Sequence, residues 1–168
     1  RRDGWVAVDF ETNCLKPEYP KSRIVSCAVS NGLRTISYPF TFRARQATRA
    51  LLGSKSSKKI ASNLKFEERW SQYHLKTPVR NWGWDTLLAT HTLDNRQHIS
   101  SLKFQSFVKL GIETYNENID PYLKNIKGSH YNRINEIEMN TLLLYGGMDA
   151  YLEWKLAMLQ REEMGYDS

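Results

Sequence analysis

Cysteine is scarce in this sequence. Cys14 and Cys27 are the only two in 168 residues. They are too few for a disulfide framework and lack the spacing of a metal site, so a reduced, intracellular setting is expected. The four histidines, His74, His91, His98 and His130, form no convincing ligand pair. No apolar run approaches the roughly 20 residues that cross a bilayer, and no secretory leader is visible. No internal repeat or low-complexity linker divides the chain. One domain with a real core is expected over residues 1–168. The first residue is Arg rather than Met, and the chain reads as a piece processed or excised from something longer.

What is present is ordinary for a globular protein: 40% hydrophobic and 25% charged residues. The balance is basic, with net charge +6 and pI near 9.3. That favours an anionic partner, nucleic acid first, although charge alone is a weak criterion.

The hydrophobic pattern predicts strands over 5–10, 23–30 and 33–39, with "NG" at Asn31–Gly32 as a hairpin signal. Three strands joined this way form an antiparallel meander. A helix follows over 43–52, then a polar loop, a short strand at "KIAS", and a helix over 64–74 capped by Asn63. A last strand is expected over 81–84. Asp85 caps a helix to about Leu93. Residues 100–110 are amphipathic and helical, 112–133 irregular, and 135–163 one long helix with a break near Gly146–Gly147. The whole predicts an α/β layered domain with a mixed five-stranded sheet.

Asp9 and Glu11 are one residue apart on the first strand, so their side chains point the same way. Two like charges side by side repel unless a cation lies between them. A D-x-E is common by chance, and a solvated strand end would explain it. Two further stretches shift the balance. In "NLKFE" (63–67), Glu67 lies in the first turn of a helix. In "YGGMD" (145–149), Tyr145 and Asp149 share a helix face. Each has a bland explanation, as a surface acid or an aromatic core residue. Three acidic clusters in this order are harder to dismiss together.

These stretches resemble the DEDD 3′→5′ exonucleases of the Tyr-containing subclass, most closely the proofreading domain of bacterial and phage DNA polymerases of the polymerase I type. "DFETNCL" (9–15), "NLKFE", "DTLLATHTLDNRQHISSL" (85–102) and "YGGMD" carry the resemblance, over roughly residues 5–160. It implies a ribonuclease H-like fold and two divalent metal ions, Mg²⁺ or Mn²⁺, which suit hard oxygen ligands. By position, Asp9, Glu11 and Asp149 would hold the first ion, and Asp9 with Glu67 would place the second. Tyr145 and Glu11 would orient the attacking water. With a usual pKa of about 10, Tyr145 is no base at neutral pH, and aiming the water is the more plausible task. Leu15 would wedge beside the terminal base, Tyr115 would stack on the same end, and Asn63 would lie near the scissile phosphate. Thr12 and Phe66, within the first two motifs, complete the substrate-binding candidates. Glu67 departs from the family's usual Asp by one methylene, about 1.5 Å of reach.

The implied activity is release of nucleoside monophosphates from DNA 3′ ends by two-metal phosphodiester hydrolysis. The implied partners are single-stranded DNA or a frayed primer end and an attached polymerase domain, with no membrane, in the cytoplasm of a bacterial or phage-infected cell. Lys16, Lys21 and Arg23, and Lys55, Lys58, Lys59 and Lys65, could track phosphates. Tyr115, Tyr122 and Tyr131 could stack on bases, while Trp70 reads as core. Two other readings stay open: an RNA-trimming exonuclease of the ribonuclease D type, and a catalytically silent nucleic-acid-binding domain.

Overall fold

Side chains of a strand alternate between faces, and the central strand here uses both. Strand β1 (Trp5–Thr12) lies in the middle of one five-stranded sheet of order β3-β2-β1-β4-β5. Strands β2 (Ile24–Ser30) and β3 (Thr35–Pro39) continue it antiparallel, whereas β4 (Lys58–Ala61) and β5 (Trp82–Asp85) run parallel on its other side. The helices are α1 (Phe42–Gly53), α2 (Leu64–Trp70), α3 (Thr86–Leu93), α4 (Leu102–Leu110), α5 (Asp120–Leu123) and α6 (Met139–Glu163). A π-helical turn, Ser71–Leu75, extends α2, and a 3₁₀ turn, Ile134–Glu136, precedes α6. The computed structural model describes residues 4–166. The ends of the expected domain, 1–3 and 167–168, lie outside the described residues.

Val8 and Phe10 of β1 pack with Leu52, Trp70 and Leu75 on the α1–α2 side. Trp5 and Ala7 face the opposite way and pack with Trp154, Ala157 and Met158 of α6. Asp9 and Glu11 share this α6 face. The β1–α6 seam is therefore apolar at one end and acidic at the other. Burying each large apolar side chain contributes about 1.5–3 kcal/mol, enough to hold α6 firmly against the sheet.

That packing explains one difference from the sequence pattern. Helix α6 runs unbroken through Gly146–Gly147. Each glycine costs a helix about 1 kcal/mol, less than the anchoring on either side supplies. A Cβ at Gly146 would lie 3.6 Å from the Glu11 Cγ and 3.7 Å from an Asp9 oxygen, so the helix passes in close contact with the acidic end of β1.

The hairpin after β2 also differs. Ser30 pairs with Thr35, so the loop is the four residues 31–34 and not a two-residue "NG" turn. The Asn31 carboxamide oxygen accepts from the backbone N–H groups of Leu33 and Arg34. Gly32, at φ +80°, presses on the Trp154 ring: a Cβ there would lie 2.4 Å from ring carbon Cε3. Gly32→Ala is expected to destabilise the fold by about 2–4 kcal/mol, combining the left-handed backbone cost with overpacking. Urea unfolding checks this, and a loss below about 0.5 kcal/mol would mean the ring moves freely.

Asp85 caps α3 as expected, accepting from Leu87 and Leu88 N–H at 3.0 and 3.2 Å. It also serves α2: its carboxylate accepts from the N–H groups of Asn63 (3.1 Å) and Leu64 (2.9 Å). Asn63 sits at the N-cap of α2 in left-handed conformation, φ +68°, and makes no side-chain cap bond. The cap expected from Asn63 is thus supplied by the residue that ends the neighbouring strand β5.

Candidate active site

Strand β1 brings Asp9 and Glu11 to the face where α6 carries Asp149. One carboxylate oxygen from each lies within 4.8 Å of the other two. Glu11 and Asp149 are buried and Asp9 partly so. Glu67, in the first turn of α2, is buried at 4% exposure beside Asp9 and stands outside that trio. The pairing of β1 with β4 runs only to Ala7–Ile60. Beyond it, the Phe10 N–H is available, and the Glu67 carboxylate accepts from it.

Four negative groups in one buried corner disfavour their own ionisation. Burial first, and the field of Asp149 second, push the Asp9 carboxyl up to about 7. Burial and then the charge of Asp9 hold Glu11 well above the usual carboxylate range. Glu67 is raised likewise, by burial and then by Asp9. Burial, followed by Asp149, Glu11 and Asp9, raises the Tyr145 hydroxyl, so it stays protonated and able to donate. Hard oxygen donors converging within a few ångströms, together with an Asp9 oxygen that has no hydrogen-bond partner, fit a divalent cation.

Two residues that sequence reasoning did not single out belong to this corner. Lys103 of α4 ion-pairs with Asp149. Its ammonium lies 4.7 Å from the Tyr145 ring centroid and 5.6 Å from that of Tyr115. Burial alone would lower the Lys103 pKa, but Asp149, Asp9 and Glu11 more than offset it and the net shift is upward. Glu153, four residues after Asp149, is buried at 3% exposure. Burial, then Asp9, Glu67 and Asp149, raise its carboxyl well above the usual range. The sequence did carry a signal for Glu153: an acid on the Asp149 helix face, between the apolar residues Leu152 and Trp154.

The other candidates are spread around the centre. The Tyr115 hydroxyl donates to Asp149, with its ring 6.1 Å from that of Tyr145. Leu15 is 65% exposed, just beyond the bridge of Cys14 to Tyr131. Asn63 is exposed. The buried Thr12 hydroxyl donates to the Cys14 carbonyl at 2.7 Å. Phe66 is half-buried against the core, 5.9 Å from the Trp70 ring. Trp70 is fully buried core. Lys59 does not reach outward: its buried ammonium donates to the carbonyls of Ser54 and Ser57.

Among solved structures, Brucella melitensis NrnC bound to pGG is similar at TM-score 0.74 and 18% identity, over 98% of this chain and 74% of that one. Escherichia coli RNase D gives TM-score 0.66 at 12% identity, over 97% of this chain and 41% of that one. The POL domain of Pol1 from M. smegmatis, in complex with DNA primer-template and dNTP, gives 0.65 at 14%, over 95% and 23%. These likenesses show a ribonuclease H-like fold. No curated protein matches the chain in sequence. The 3′–5′ exonuclease family matches it over residues 2–160. With its three motifs on one carboxylate-lined corner of that fold, the chain belongs to the 3′–5′ exonuclease family found in polymerase I-type DNA polymerases.

Proposed function

We propose that this domain removes nucleoside monophosphates from DNA 3′ ends in a metal-dependent hydrolysis, proofreading for an attached polymerase in the cytoplasm of a bacterial or phage-infected cell. The observation that carries the reading is the convergence of Asp9, Glu11 and Asp149 within 4.8 Å. Asp9, Glu11 and Asp149 would hold one divalent ion, and Asp9 with Glu67 a second. Bound there, Mg²⁺ or Mn²⁺ would supply Lewis acidity at the water and at the leaving 3′-oxygen. Glu11 and the protonated Tyr145 hydroxyl aim the water. A cleft beside the carboxylates is lined by Lys103, Phe104, Phe107 and Tyr115. Phe104 and Phe107 are 41% and 59% exposed, and such faces stack on unpaired bases of any sequence. Leu15 and Asn63, exposed nearby in sequence to the motifs, would contact the terminal nucleotide, with Thr12 and Phe66 shaping the backbone that carries them. No helix is long and apolar enough to cross a membrane among the described residues.

An RNA substrate is the second reading. It is supported by the likeness of the fold to Escherichia coli RNase D, an exoribonuclease. The deciding experiment gives 5′-labelled DNA and RNA strands of one sequence to the protein with Mg²⁺ or Mn²⁺. Stepwise shortening of DNA from the 3′ end is expected. Faster shortening of RNA would favour the second reading, and no release from either would leave a silent binding domain.

Tyr145→Phe removes a water-aiming hydroxyl and no metal ligand. The expected loss of rate is about 10–100-fold, at or below the low end for groups that move protons. Single-turnover nucleotide release measures it, and a loss as complete as that from removing Asp9 would assign Tyr145 another task.

A further inference from the structure

We propose that Glu153 is a fifth carboxylate of the metal centre, a positioning residue for the second divalent cation opposite Glu67. The inference rests on the metal-dependent reading above. Among the described residues, three buried carboxylate oxygens lack any hydrogen-bond partner, and they belong to Asp9, Glu67 and Glu153. They come from three elements, β1, α2 and α6, and the charges of Asp9 and Glu67 both act on Glu153.

Neighbouring side chains on the same two helices are satisfied, whereas the Gln105 and Asn116 carboxamide oxygens are open like the three carboxylates. Gln160, on the same helix and fully buried, donates to the Thr86 carbonyl and the Thr90 hydroxyl and accepts from the Trp84 indole. Glu68, the neighbour of Glu67, accepts from the Val79 N–H and the Trp82 indole. Buried polar atoms are almost always paired, so an open oxygen on a buried carboxylate calls for an absent partner. The three carboxylates lie in one another's field, and a cation among them would partner all three.

Charge points the same way. Asp9, Glu11, Glu67, Asp149 and Glu153 make five carboxylates, and the cation Lys103 pairs with Asp149 and acts on Asp9, Glu11 and Glu153. Fully ionised, they leave four negative charges, the charge that two divalent ions carry. The trio Asp9, Glu11 and Asp149 converges on one position. Glu67 and Glu153 stand outside it and lie in the field of Asp9, as ligands of a second position or of its water would.

The test is calorimetric titration of the metal-free protein with Mn²⁺ for wild type, Glu153→Gln and Glu153→Leu. Circular dichroism confirms the fold, and the leucine variant covers the case in which the glutamine variant does not fold. Wild type is expected to bind in two steps. The variants are expected to keep the tighter step and weaken the other by about 10–100-fold. The rise in melting temperature on adding Mn²⁺ should shrink accordingly, which the loss of a merely structural acid would not cause. Two steps with wild-type constants in both variants would overturn the role of Glu153 alone. A wild type that takes up no Mn²⁺ would overturn the metal-dependent reading as well.

Discussion

Asp9→Asn and Asp149→Asn are each expected to lower nucleotide release by about 1,000-fold or more, yet to move stability in opposite directions. The activity loss follows from the metal. A bound divalent ion contributes several kcal/mol to the transition state, and each 1.36 kcal/mol is tenfold in rate. The stability difference follows from the partners. The Asp9 carboxyl is pushed from its ordinary 3.8 up to about 7, chiefly by burial and then by Asp149. Between those values the folded chain holds a proton that the unfolded chain has lost, so stability falls as pH rises through that window. Asp9→Asn removes this penalty. In chelator at pH 8 the variant should melt above wild type, and the advantage should vanish below about pH 4. Asp149 instead pairs with Lys103 and accepts from Tyr115. Its amide cannot balance the largely enclosed ammonium, so Asp149→Asn should melt below wild type. Each kcal/mol corresponds to about 2–4 °C for a domain of this size. Nuclease assays and melting curves at pH 5.5 and 8 decide both points. Wild-type activity in either variant would remove that residue from the metal centre.

Glu67 carries the second large effect. Its carboxylate is buried, accepts from the Phe10 N–H, and leaves Oε2 without a partner. Glu67→Gln keeps the shape and removes the charge. The Mn²⁺ needed for half-maximal rate is expected to rise about 10–100-fold. Glu67→Asp restores the residue usual in polymerase I-like enzymes, but it withdraws the carboxylate by about 1.5 Å from an anchor fitted to the longer arm. Its rate should therefore fall rather than rise, and more steeply with Mg²⁺, which demands near-ideal octahedral geometry. The measurement is a metal titration of single-strand DNA degradation for wild type and both variants. A glutamine variant that titrates like wild type would place residue 67 outside the site.

The sequence by itself determined what depends on local periodicity. Alternation along a strand puts Asp9 and Glu11 on one face whatever surrounds it. Helical spacing does the same for Tyr145 and Asp149, and for Asp149 and Glu153. Strong apolar strands in the order of β1, β2 and β3 made the antiparallel start legible, and the motif wording identified the family. The tertiary structure decided everything that depends on which distant side chain fills a gap. Asp85 rather than Asn63 holds the start of α2, because its carboxylate emerges beside α2 from the end of β5. Lys103 becomes the counter-ion of Asp149 because α4 packs against α6. Lys59 turns inward to backbone carbonyls, and the hairpin opens to four residues where Gly32 meets Trp154. Above all, only the assembled corner distinguishes the open oxygens of Asp9, Glu67 and Glu153 from the satisfied ones of Glu68 and Gln160. Whether a buried polar atom finds a partner depends on packing between segments far apart in the chain, and no local pattern encodes that.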